Sequence, residues 1–205
     1  MSNAPITLSA AESDLLLAHL MHAGHTEGQE RKSVRNYTIA LMMLEAGLRV
    51  GEVVTLQWPQ LYCFGQPAKS ITVETLKKKK KSERVIPLSL HIQNAANEMY
   101  RLWWSGLDFI PGIFAFCKYP DCGHITTRQV ERIIKRAAIA ALGRPVHPHA
   151  LRHTFASRLM RRVNIRTVQE LLGHESVTST QIYTHPNEDD KKNAIASFDA
   201  AAAMD

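Results

Sequence analysis

The sequence predicts an α+β fold: a mostly helical single domain over residues 1–205 carrying one small three-stranded antiparallel sheet. Three observations predict it. Apolar residues recur at helical spacing before Thr55 and after Ser89, with capping residues at the ends of the runs. Three short β-type runs lie between them, around Leu56–Phe64, Ser70–Leu76 and Arg84–Leu88. No internal repeat and no long linker divides the chain.

The elements follow in order. Ser9, with Glu12 three residues on, forms a capping box at the head of an amphipathic helix over residues 8–22. The polar, glycine-containing stretch Ala23–Gln29 separates it from a buried helix over Ser33–Ala46, ended by Gly47, and a short helix Val50–Thr55 follows at once. The second and third β-type runs flank five consecutive lysines, Lys77–Lys81, which places these on a hairpin turn. Helices return at Ser89–Trp103, at Thr127–Leu142 behind a Thr126 or Thr127 cap, at His149–Arg162 and at Ile165–Leu172, the last ended by Gly173. A final helix is expected over Asp189–Ala203.

Composition narrows the function. An apolar content of 45% and a charged content of 21% are those of a globular protein rather than a disordered one. No apolar run is long enough to span a membrane, and no charged-then-apolar leader opens the chain. Three cysteines are too few for a disulfide framework and favour a reducing cytoplasm. The net charge of +6 is unevenly spread: +9 from Arg128 to Arg166 and +5 from Lys77 to Arg84, leaving −8 on the remainder. Two basic blocks on an acidic remainder suit two contact surfaces for a polyanion.

Several residues are candidates for chemistry. Arg49 stands where two helices meet, with Glu52 three residues on and on the same face. The pair reads as a surface ion pair or as an arginine fork held by a carboxylate for gripping phosphate oxygens. In HPHALRH (147–153), His149 and Arg152 share a helical face, and Pro148 suits the first turn. A metal site is less natural there, because Arg152 would repel the ion and the glutamate of the HExxH pattern is missing. Arg158, Arg161, Arg162 and Arg166 continue the same basic segment. Cys117, Cys122 and His124 lack a second half-site for zinc and read as isolated groups on a loop. In LLGHESVTSTQIYTH (171–185), Tyr183 sits in a polar setting behind His174; it is either a packed tyrosine or a nucleophile needing activating partners.

Together these residues resemble the catalytic set of the tyrosine recombinases, the phage-integrase family. The resemblance runs through GLRVGE (47–52), ERVIPL (83–88), HPHALRHTFAS (147–157) and LLGHESVTSTQIYTH (171–185), in the family's order. It implies that Arg49 and Arg152 bind the scissile phosphate, with Glu52 as partner of the first. His149 and His174 complete the site and Tyr183 is the nucleophile. It also selects Lys79, five residues before Arg84, as the general acid, with Lys77, Lys78, Lys80 and Lys81 as neighbouring choices and DNA contacts. Arg128, Arg132, Arg158, Arg161 and Arg162 are the further expected DNA contacts. The implied reaction is metal-free and cofactor-free cleavage and rejoining of duplex DNA through a 3′-phosphotyrosyl bond. The implied assembly is a homotetramer on a recombination site formed from free monomers, with accessory DNA-bending or directionality factors as possible partners. The segment before Arg49 is too short for the family's N-terminal core-binding domain. Two rivals stand beside this reading. A metal-dependent His-x-His/Tyr nickase leaves Arg49, Arg152 and the ERVIPL strand unexplained. A non-catalytic DNA-binding relative has no need of Tyr183.

Overall fold

The computed structural model describes residues 6–22, 26–77, 80–105, 112–117 and 123–173. The first helix, α1 (Ala10–Met21), starts as expected: Ser9 Oγ accepts from the Glu12 N–H at 3.1 Å, and Glu12 accepts from the Ser9 N–H at 2.9 Å. The second, α2 (Glu27–Leu44), begins six residues earlier than the expected Ser33. Thr26 and Gln29 form a second capping box there, and Glu27 and Glu30 favour the positive helix end, so Gly28 is carried inside the first turn. Helix α2 is the axis of the core. Ile39 to Met43 are buried, with α1, α5 (Leu90–Met99) and α7 (Pro148–Met160) packed around it.

The expected fold class holds, but the strands are arranged differently. The run Leu56–Phe64 does not form a continuous strand. A short helix α4 (Trp58–Leu61), which follows α3 (Val50–Val54), interrupts it, with Gln57 ahead and Pro59 inside the first turn, where a missing N–H costs nothing. Leu56 and Trp58 bond instead to the segment 113–115: Ala115 N donates to Leu56 O at 2.7 Å and Trp58 N to Ile113 O at 3.1 Å. The strands therefore form two two-stranded antiparallel sheets among the described residues, not one of three. One pairs β1 (Tyr62–Cys63) with β2 (Gln66–Pro67). The other pairs β3 (Ser70–Lys77) with β4 (Lys80–Pro87) in unbroken register from Ser70↔Pro87 to Lys77↔Lys80.

Helix α5 ends at Met99, and a π-helical turn Tyr100–Trp104 carries the chain onward. This turn lets Tyr100 stack on Tyr62 at 4.2 Å and Trp104 on Trp58 at 6.0 Å, joining the small sheet to the helical core. Helices α6 (Thr127–Leu142) and α8 (Ile165–Leu172) keep their expected bounds, and α7 starts at Pro148 behind a His147 cap. Helix α8 packs on α7 through Val168, Leu172 and Ala156, a small cluster beside the main core. The expected helix Asp189–Ala203 lies outside the described residues.

Candidate active site

Gly47 sets the geometry at the end of α2. Its φ of +63° is open to glycine at little cost, and the turn it makes sends the chain straight into α3. A Cβ there would overlap the Phe155 ring, with Cε1 at 2.6 Å, so the turn lies directly against this ring of α7. Through this contact Arg152 Nη1 donates to the Gly47 carbonyl, while Nη2 donates to Leu172 O at 2.7 Å. Arg152 is 4% exposed.

Glu52 is the centre of the cluster. As the third residue of α3 it reaches back to the Arg49 N–H at 2.8 Å, half of a capping box. It also accepts from Arg49 Nη1 at 3.0 Å and from both terminal nitrogens of Arg84, at 3.1 and 2.7 Å. Arg152 Nη1 lies 3.9 Å from the same carboxylate. Burial pushes the Glu52 carboxyl up, but the bonds from Arg84 and Arg49 and their charges outweigh it and hold the group at about 2. Among the described residues, one carboxylate among three guanidiniums leaves a local charge of about +2, which suits an incoming phosphate.

His149, in the first turn of α7, completes the described part. Burial, then the neighbouring His147, Arg152 and Arg49, hold its pKa below the usual histidine value, so it is neutral at pH 7 and has a lone pair to accept a proton. Its ring stands 5.5 Å from that of His147 and 6.3 Å from that of His153.

The family model described as the phage integrase family matches residues 14–190. The chain belongs to that family. It is 33% identical over 190 residues to the tyrosine recombinase XerD of Lacticaseibacillus casei, covering 88% of this chain and 58% of that one. The crystal structure of XerA recombinase matches 97% of this chain and 66% of its own at 26% identity, with a TM-score of 0.74. XerH recombinase bound to its palindromic difH substrate, in a post-cleavage complex, matches the fold with a TM-score of 0.71 at 22% identity, covering 96% of this chain and 54% of its own. The chain thus spans less than two thirds of the length of each of these three relatives.

Of the phage-integrase residues expected from sequence, the fold brings together Arg49, Glu52, His149 and Arg152. Lys78, Lys79, His174 and Tyr183 lie outside the described residues, while Lys77, Lys80 and Lys81 fall at the joined ends of β3 and β4. The residue that sequence reasoning passed over is Arg84. Besides gripping Glu52, its Nε donates to Leu171 O at 2.9 Å, so β4, α3 and the end of α8 meet on one guanidinium. Its signal was present in the alternation of ERVIPL: Val85 is exposed, whereas Arg84 and the fully buried Ile86 share the inward face. Arg84 also fills the space beside Gly173, where a Cβ would come within 3.1 Å of it, and Gly173 takes the left-handed cap that ends α8.

Among the expected DNA contacts, Arg128, Arg132, Arg161 and Arg162 are exposed. Arg158 is otherwise engaged: it donates to Ser9 O at 2.9 Å and Ser13 Oγ at 2.7 Å, tying α7 to α1. Cys117 and His124 face each other across an isolated antiparallel bridge, and Cys122 lies outside the described residues. No group of three or more His, Cys, Asp or Glu is placed to hold a metal ion among the described residues.

Proposed function

We propose that this chain is the catalytic domain of a site-specific tyrosine recombinase that cleaves and rejoins duplex DNA. The observation that carries it is the half-buried Arg49–Glu52–Arg84–Arg152 cluster, a phosphate-sized excess of positive charge beside a neutral histidine. The names of the relatives support it: XerD is a tyrosine recombinase, and XerH is held on its difH substrate.

In this reading Arg49 and Arg152, with His174, bind the non-bridging oxygens of the scissile phosphate. They stabilise the charge that builds in the transition state, an effect worth about 10²–10³ in rate for each donor. The Tyr183 hydroxyl attacks phosphorus and loses its proton toward neutral His149. The bond to the 5′ oxygen breaks, and Lys79 supplies the proton that this oxygen takes up. The 3′-phosphotyrosyl bond keeps the energy of the diester, so a 5′-hydroxyl from a second duplex can reseal the strand without a cofactor. Exchange between two duplexes takes four cleavages and therefore four protomers, which assemble on DNA from monomers. Accessory DNA-bending or directionality factors and a cytoplasmic location belong to the same reading; no described helix is long and apolar enough to cross a membrane.

A suicide substrate tests it. Nicked duplexes incubated in EDTA with the wild-type chain should give a slow-migrating 3′ adduct on a denaturing gel, absent with Tyr183→Phe. An adduct at the 5′ end that appears only with a divalent ion would replace this reading with a metal-dependent nickase.

A further inference from the structure

A second cationic site lies between α2 and α6, away from the cluster around Glu52. It is a cavity of about 240 Å³ walled by Lys32, Arg35, Gln129, Arg132 and Arg136, with two isoleucines below them. Among the described residues four cations line it and no carboxylate does. Three other arginines are answered by carboxylates: Arg31 pairs with Glu27 at 2.8 Å, Arg101 with Glu30 at 2.7 Å, and Arg144 with Glu12 at 2.5 Å.

Arg35 sets the cavity apart from a solvated basic face. It is 6% exposed, and its hydrogen bonds go to neutral acceptors: Nη1 to Cys117 O at 2.8 Å, and Nε and Nη2 to Asn36 Oδ1 at 3.2 and 3.0 Å. Its guanidinium carbon stands 5.7 Å from the Trp103 ring centroid. Trp103 is itself pinned by a bond to Arg31 O. A buried guanidinium is costly unless an anion answers it, and among the described residues no ion pair does. Two of its five donors make no hydrogen bond among the described residues, and the flexible cations of Lys32, Arg132 and Arg136 stand at the rim.

We infer that this cavity binds one backbone phosphodiester of the duplex, on the strand opposite the one held at Arg49 and Arg152. The inference rests on the proposed DNA partner. The strand follows from α6. Gln129, Arg132, Ile133 and Arg136 form one stripe of that helix and face the cavity. Glu131, on the other flank, lies 3.8 Å from His147 at the head of α7, the helix that bears His149 and Arg152. Helix α6, about 10–12 Å across, therefore lies between the cavity and the head of α7. That width matches the major groove, about 12 Å wide, whose two walls are the backbones of opposite strands.

Binding of a random-sequence duplex across a salt series tests the cavity. Arg132→Gln/Arg136→Gln should lower the slope of log K against log salt by about 0.9 for each phosphate that is no longer neutralised. Arg101→Gln/Arg144→Gln removes the same charge from paired arginines and should keep the wild-type slope. Arg35→Lys, which keeps the charge and loses the fork, should weaken binding alone and add nothing to the Arg132/Arg136 variant. Equal loss from both arginine pairs, or none from the cavity pair, overturns the site while leaving the DNA reading intact. A wild-type chain that binds no duplex overturns both. Inorganic pyrophosphate is the probe for the other source: if it binds the wild type, is lost in the cavity variant, and the DNA slope is unchanged, the site serves a free phosphate compound and the backbone assignment fails. Single methylphosphonate linkages in a suicide duplex that forms the Tyr183 adduct then assign the strand. Weakening only from the cleaved strand overturns that part.

Discussion

Glu52 is the residue on which the candidate site turns, because two elements far apart in sequence reach the same carboxylate. Its folded pKa of about 2 lies below the ordinary carboxylate value of 4.5. The stability this difference confers is present above pH 4.5 and is lost as pH falls toward 2, amounting to roughly 3 kcal/mol. Glu12, held low by its Ser9 backbone bond and by Arg144, acts in the same direction at an exposed position. Melting temperatures from pH 5 down to about pH 2 for the wild type and Arg84→Gln separate the two. The variant should melt lower at pH 5 and show a shallower decline, because its Glu52 has lost its closest partner. Parallel declines would mean that Arg84 does not hold the carboxylate. At this scale Arg49, Glu52, His149 and Arg152 were legible, since spacings of three residues put helical side chains on one face. Arg84 was harder to see, because an arginine on the inward side of a strand has meaning only once its carboxylate is known.

At the scale of elements, the α2–α3 turn is what brings Arg49 to Arg152. Gly47 combines a positive φ with a Phe155 ring against its Cα, so a side chain there would be both strained and crowded. Gly47→Ala should destabilise the chain by about 1–3 kcal/mol and lower its melting temperature accordingly. An unchanged melting temperature would show that the turn can relax without cost. Capping chemistry made α1, α6 and α8 legible to within a residue or two. The errors have local causes. Thr26 and Gln29 outweighed Gly28 at the head of α2, and Trp58–Pro59 turned a β-type run into a helical turn. The π turn after α5 answers to the stacking of Tyr100 and Trp104 on distant rings, which no local pattern encodes.

For the whole molecule, α1 is tied to α7 and to Arg144, and the small cluster of α7 and α8 packs beside the main core. Residues beyond Pro186 are proposed to serve assembly between protomers rather than folding. A chain truncated after Pro186 should keep its circular dichroism and melting temperature yet fail to form higher-order complexes on DNA in native gels. Assembly equal to that of the full chain would remove this role from the C-terminal segment. The uneven charge acts at the same scale. Each basic block seen in sequence supplies an arginine to the candidate site, Arg84 and Arg152, while the cavity at Arg35 draws cations from two helices that composition had treated separately.

The sequence by itself determined the helical framework, the antiparallel pair β3–β4, the family and the arginine, glutamate and histidine at helical spacings. These depend on neighbours within one turn or one strand, where periodicity and capping suffice. Only the tertiary structure decided that Arg84 and Arg152 converge on Glu52 and on the last carbonyls of α8. The same holds for Arg158, which binds α1, and for the cations that gather between α2 and α6. Each of these depends on which charges share a buried space, and a buried charge takes its meaning from partners that lie far away along the chain.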